Sequence, residues 1–207
     1  MVQKLWFPVV YMFAITAFCS SIVIGFTQIT SERVEANQKL SFEKAILAAL
    51  PDLYDENEQI SGLELHKRFT EKVSAPDEQT AGAYALKESG KIVAYALPLE
   101  GKGFWAPIKG VIGIRADKKT ITGIYFYQQS ETPGLGAEIA QPPFRNQFKG
   151  KIISVGEKPL TIARPDATLD QSSVHAVTGA TQTSTRLEII INDGLKEWQK
   201  KIQAENQ

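Results

Sequence analysis

The sequence predicts an α+β protein: a single N-terminal transmembrane helix, followed by an antiparallel-sheet domain that ends in a C-terminal amphipathic helix. Three observations predict it. Leu5 to Phe26 carries no charged residue, the middle of the chain is β-like around turn sequences, and Leu187, Ile190, Ile191, Leu195 and Trp198 recur at helical spacing near the end. Hairpins in the middle with helices at the ends belong to the α+β class rather than to a doubly wound sheet.

The first element reads LWFPVVYMFAITAFCSSIVIGF, and a helix of roughly 20 apolar residues is what crosses a bilayer. Trp6 and Tyr11 stand near its first end, where amphipathic rings suit the headgroup zone. A cleaved leader would have a shorter apolar run and an A-x-A-like site, which the stretch lacks. Lys4 on one side and Arg33 and Lys39 on the other leave the positive-inside bias slight, so charge alone does not orient the span. The expected organisation is an anchor over 1–29, a helical linker region over 30–80 and the main domain over 81–207.

Thr30 to Leu50 places Val34, Phe42, Ile46, Leu47 and Leu50 among charges before Pro51, which predicts a helix leaving the membrane and packing on the domain. Asp52 to Thr80 is polar and irregular, with a short helix expected around Leu63 to Phe69. Two hairpins follow: Ala83–Lys87 with Lys91–Leu97 across Glu88-Ser89-Gly90, and Lys109–Arg115 with Thr120–Gln128 across Ala116 to Lys119. A loop from Ser130 to Glu138 and a short helix near Pro143 to Phe148 lead to strands expected at Lys151–Val155 and Leu160–Ala163. Thr185-x-x-Glu188 has the form of a capping box, so the last helix is expected to start there.

Charge and composition exclude several functions. In 207 residues, 23 basic side chains balance 23 acidic ones, which is not the footprint of a nucleic-acid binder. Cys19 is the single cysteine, so no intramolecular disulfide and no CxxC site exists. His66 and His175 are the two histidines, and they read as too isolated to hold a metal. Gly101-x-Gly103-x-x-Ala106 has the outline of a dinucleotide fingerprint, but Pro107 and a strand follow where a helix is required. Phe104 and Trp105 are read either as core aromatics or as part of a site wall, with core preferred, and alternation through Tyr125, Phe126 and Tyr127 buries at least one ring.

The chemistry-bearing stretch is HAVTGATQTST, His175 to Thr185. On spacing alone its threonines read first as turn and N-cap residues. The second reading is an anion site, because a helix starts nearby and its first N–H groups and positive dipole end favour a phosphate. Gly179 permits tight or left-handed backbone, Ala180 adds almost no bulk, and Thr181 would then be accessible.

Thr178-Gly179-Ala180-Thr181 followed by Gln182-Thr183-Ser184 resembles the S/T-G-A-T-x-T-S signature of flavinylated membrane subunits. Gly101-Lys102-Gly103-Phe104-Trp105-Ala106-Pro107 and Glu131-Thr132-Pro133-Gly134-Leu135-Gly136-Ala137-Glu138-Ile139 resemble two further signatures of the single-span FMN subunit of the sodium-translocating NADH:quinone oxidoreductases. The order of anchor, then domain, matches as well, and Asp52 to Thr80 carries no signature. His175 departs from the pattern: the family usually has an aspartate three residues before the tetrad, where the enzyme that attaches the flavin is thought to recognise it.

The resemblance implies an antiparallel-sheet FMN-binding domain and a covalent FMN, esterified through its phosphate to Thr181. It implies cofactor contacts from Thr178, Gly179, Ala180, Thr183, Glu131, Thr132, Gly134, Leu135 and Gly136. No catalytic residue or metal ligand is expected on this chain. The implied function is single-electron relay inside an inner-membrane, sodium-moving translocase, with no NADH oxidation or quinone reduction by this chain alone. Implied partners are the other membrane subunits of the complex, the flavin transferase during maturation, and the lipid bilayer; nucleic acid is not among them. The soluble domain is expected on the periplasmic, outer side. Two alternatives stay open: the corresponding FMN subunit of the related Rnf complex, which shares the ETPGLG loop, and a tethered assembly module with an unmodified loop, for which His175 is the motivating residue.

Overall fold

A computed structural model describes residues 6–55 and 58–205. Leu5, at the start of the expected span, and Lys4 lie outside them. The chain divides into two compact units, Met1–Lys39 and Leu40–Gln207. One helix, α1 (Trp6–Ala49), runs through both. The sequence suggests two successive helices instead; the residues between Phe26 and Thr30 contain neither glycine nor proline, so nothing interrupts the hydrogen-bond ladder. Its N-terminal stretch has a mean hydropathy of 2.1 and is long and apolar enough to cross a bilayer.

In the second unit the C-terminal end of α1 and α2 (Gly62–Lys72) lie on one face of a sheet. Ser61 caps α2 by accepting from Glu64 N at 3.2 Å. The sheet is an antiparallel meander in the order β1 (Val73–Ser74), β2 (Tyr84–Glu88), β3 (Lys91–Lys102), β4 (Pro107–Arg115) and β5 (Ile121–Gln128). Both expected hairpins are present. β3 extends further than expected, through Pro98, and pairs with β4 as far as Lys102↔Pro107. Proline is tolerated there because β2 pairs with β3 only up to Tyr84↔Ala96, so one edge of β3 has no further β2 partner.

Alternation along the strands builds two cores. Tyr95, Leu97, Leu99, Ile108, Ile112 and Ile124 face one side, where α4 (Thr181–Glu205) contributes Leu187, Ile191, Leu195 and Trp198. Ala94, Ala96 and Val111 face the other, where α1 contributes Ile46 and Leu47, with Leu50 just beyond its end. The small residues of the second face let α1 approach closely. A Cβ on Gly113 would overlap the Ala49 carbonyl, and Thr122 Oγ1 donates to that same oxygen at 2.6 Å, satisfying an orphan carbonyl at the helix end. His66, which reads as isolated in the sequence, has a partner: Nδ1 lies 2.9 and 3.0 Å from the two oxygens of buried Glu43, tying α2 to α1.

The connection after β5 runs through a 3-10 turn over Gly136–Ala140, α3 (Pro142–Arg145) and a second 3-10 turn over Asn146–Phe148, close to the helix expected there. Lys151–Val155 is not the strand its composition suggests. It makes one bridge, Thr120↔Ile152, because its amides go to three separate places: Ile152 N to Gln171 O, Ile153 N to Lys119 O and Ser154 N to Pro159 O. A small parallel pair, β6 (Thr161–Ala163) with β7 (Ser173–His175), sits beside α4. Asn192 of α4 holds the residue before β6 by accepting from Leu160 N and donating to Leu160 O, both at 2.8 Å.

Candidate functional site

The last helix begins at Thr181, four residues before the expected start. Ser184 N donates to Ala180 O at 3.0 Å, the first bond of the helical ladder, so Ala180 occupies the N-cap place. Glu188 is not part of a capping box. Its Oε2 accepts from Ile162 N and its Oε1 pairs with Lys158 at 3.0 Å, so tertiary partners have claimed it. The consequence is that Thr181 sits in the first helical turn rather than in a loop ahead of it.

Before the helix the chain turns sharply. Gly179 has φ +77°, the left-handed region that glycine occupies without strain, and Ala180 N donates to Val177 O at 3.1 Å. Ser184 Oγ turns back to accept from Val177 N at 3.3 Å. Thr178, Gly179 and Thr181 are exposed, whereas Ala180, Thr183 and Ser184 are buried beneath them. The hydroxyls of the run thus divide: Thr183 and Ser184 anchor the turn, and Thr181 faces solvent.

Glu131 joins this turn to the two other motifs. Its carboxylate is buried, with the residue 5% exposed. Oε1 accepts from Phe104 N at 2.8 Å and Trp105 N at 3.2 Å, at the tip of the β3–β4 hairpin. Oε2 accepts from Thr183 Oγ1 at 2.7 Å, across 52 residues of sequence. Gly103 and Gly136 make room for it, since a Cβ on either would collide with the Glu131 side chain, and on Gly136 with Thr183 Oγ1 too. Glu131 therefore holds the cradle together from below, and is not itself on its surface.

Above it, Thr132, Gly134 and Leu135 are exposed and Gly136 is buried. Leu135 Cδ2 lies 3.1 Å from where a Cβ on Gly179 would stand, so the two loops touch. Phe104 and Trp105 are not core residues as expected: they are 44% and 69% exposed, because the hairpin tip carries them past the end of the sheet. Trp105 Nε1 donates to Thr132 Oγ1 at 3.2 Å, and the two rings meet edge to face at 5.0 Å. Exposed aromatics at a hairpin tip are the feature that the sequence conceals; the available signal is the Gly101 and Gly103 pair, which ends strand packing just before them. His175 lies in β7, its amide donating to Gln147 Oε1 at 2.8 Å and its Nδ1 3.2 Å from Arg164 O, a locally hydrogen-bonded residue.

Comparison with known proteins matches this set of motifs. Residues 103–196, which hold the hairpin tip, the Glu131 loop and Thr181, match the FMN-binding domain family. The chain is similar to the NqrC subunits of sodium-translocating NADH-quinone reductases. It is 26% identical to the one from Neisseria meningitidis serogroup A over 84% of this chain and 83% of the relative. It is 32% identical to the Vibrio alginolyticus protein over 63% of this chain, an alignment spanning 54% of that relative. Among solved structures, the Parabacteroides distasonis counterpart superposes with a TM-score of 0.68 at 26% identity, covering 81% of this chain and 94% of that one. The Shewanella oneidensis NqrC structure shares the fold, with a TM-score of 0.52 at 22% identity over 77% of this chain and 82% of that one.

Proposed function

We propose that this chain is a flavin-carrying electron-relay subunit, with FMN joined by a phosphodiester to Thr181, in a membrane complex that oxidises NADH, reduces quinone and moves sodium. The observation that carries it is the exposed Thr181 at the opening of α4, beside a cradle that Glu131 assembles from all three motifs. The residues fit the group. The first-turn N–H groups of α4 lack intrahelical acceptors and, with the positive end of the dipole, would favour a phosphate carried on Thr181. Trp105 and Leu135 offer exposed apolar surface for a flat ring, and Gly134, with φ +73°, keeps the loop low in front of it.

FMN, when bound, supplies the redox chemistry, accepting and donating electrons one at a time. What the chain does is hold and shield. Thr178, Gly179 and Ala180 leave the Thr181 oxygen unobstructed; Thr132 to Gly136 form the opposing wall; Thr183 and Glu131 fix both walls from beneath. A covalent link suits a domain on the outer, periplasmic side of the inner membrane, where a dissociable cofactor would be lost without resupply. The apolar stretch of α1 is the tether, and the remaining subunits of the complex are the electron partners.

Intact-mass measurement of the full chain, co-produced with a flavin transferase, tests this. The expected result is one added FMN on the wild type and on Thr181→Ser, with none on Thr181→Ala. An unmodified wild-type mass and a colourless protein would leave only a tethered assembly module. Co-purification then identifies which complex it joins.

A further inference from the structure

Among the described residues, Arg186 Nε is the buried side-chain nitrogen or oxygen without a hydrogen-bond partner. A buried donor on a charged group is costly to leave unpaired, so each such atom calls for a specific partner. Register along α4 shows which part of β3 lies level with Arg186. A Cβ on Gly194 would run into Leu99, and a Cβ on Gly101 would run into Ile190. Going back one turn on the helix, about 6 Å, thus matches going forward two residues on β3, about 7 Å. One more turn back is Arg186, and two more residues forward is Gly103.

Continued in this way, the register brings Arg186 to the level of Gly103, just before the hairpin tip that carries Phe104 and Trp105, where Glu131 Oε1 fills the space directly against Gly103. Glu131 Oε1 accepts from Phe104 N and Trp105 N and Oε2 from Thr183 Oγ1, and neither oxygen is a partner of Arg186 Nε. Thr181 and Arg186 are five residues apart, about 140° around the helix at roughly 3.6 residues per turn. A phosphate on Thr181 would be served by the helix N-terminus, whereas Arg186 starts from a different flank of the helix.

We propose that Arg186 is the cationic contact for the flavin ring: its guanidinium meets the carbonyl- and nitrogen-bearing edge of the isoalloxazine, and it favours the form that gains negative charge on reduction. This rests on the flavin assignment made above and deepens it. Arginine suits the task because its planar fork is always charged and presents several donors to a flat acceptor edge.

The test uses the full chain co-produced with a flavin transferase, as wild type, Arg186→Gln and Arg186→Lys, with intact mass and flavin midpoint potential both read. The expected result is full FMN mass in all three, a lower midpoint potential in Arg186→Gln and an intermediate one in Arg186→Lys. An unchanged potential in Arg186→Gln with FMN mass retained overturns the Arg186 role and leaves the flavin assignment standing. No FMN mass on the wild type overturns both. Thermal melting in two backgrounds adds a difference that a merely structural arginine would not produce: Arg186→Gln should raise or preserve the Tm of the flavin-free Thr181→Ala protein and lower that of the FMN-bearing protein. Equal shifts in the two backgrounds refute the contact.

Discussion

Glu131 is the residue on which the candidate site depends most, and its replacement gives a sharp expectation. Glu131→Ala strips the acceptor from Phe104 N, Trp105 N and Thr183 Oγ1, which lie at 2.8, 3.2 and 2.7 Å. Hydrogen bonds to a charged group contribute about 1.5–3 kcal/mol each. The hairpin tip is exposed enough for water to replace part of what Phe104 and Trp105 lose, but Thr183 is buried. A net loss of about 3 kcal/mol follows, and for a chain of this size roughly 2–4 °C per kcal/mol gives a Tm lower by about 9 °C. Glu131→Gln is milder. Its oxygen can face the two amides while its NH2 donates to the Thr183 hydroxyl, which rotates to accept, so the loss is the charge assistance alone, about 1 kcal/mol. Differential scanning fluorimetry in detergent ranks the three proteins, and hydrogen exchange at residues 103–106 and 132–136 localises the effect. A Glu131→Ala melt within about 1 °C of wild type, with unchanged exchange in both loops, would refute the joint and with it the derived geometry of the site.

Two further outcomes follow from the same packing logic. Gly113→Ala drives a Cβ into the Ala49 carbonyl and the Thr122 hydroxyl, and overpacking of this kind costs about 1–3 kcal/mol; residues 40–49 should exchange amide hydrogens faster, with the α4 face unaffected. Asp117 closes the β4–β5 turn. Burial pushes its pKa up, but the hydrogen bonds from Thr120 and Lys119 outweigh that and hold it below the ordinary aspartate value. Its contribution is therefore fully present above about pH 4 and lost as pH falls through the lowered pKa; Asp117→Asn should flatten the acid limb of a Tm-against-pH curve, and an identical limb in both proteins would count against the turn.

Much of the fold is local and readable as such. The turns at Glu88-Ser89-Gly90 and Ala116 to Lys119 place hairpins because turn chemistry acts over four residues. The stop of α1 before Pro51 is legible for the same reason. Where expectation and structure differ, a distant partner has overridden a local rule: Glu188 serves Ile162 and Lys158 instead of a capping box, and the amides of Lys151–Val155 go to three separate segments.

The sequence by itself determined the apolar helix, the two hairpins, the amphipathic last helix and the small, hydroxyl-bearing stretch around Thr181, since periodicity and turn preference are properties of neighbouring residues; that β3 and β4 join the hairpins into one sheet was decided by the fold. Tertiary structure alone decided that Glu131 lies beneath Thr183 and the hairpin tip, that Phe104 and Trp105 stay at the surface, and that Arg186 has a buried, unanswered donor. Those facts arise from how β3 and α4 slide against each other, and that register is set by side-chain volumes meeting across the core, at Gly101 with Ile190 and Gly194 with Leu99, not by any signal along the chain.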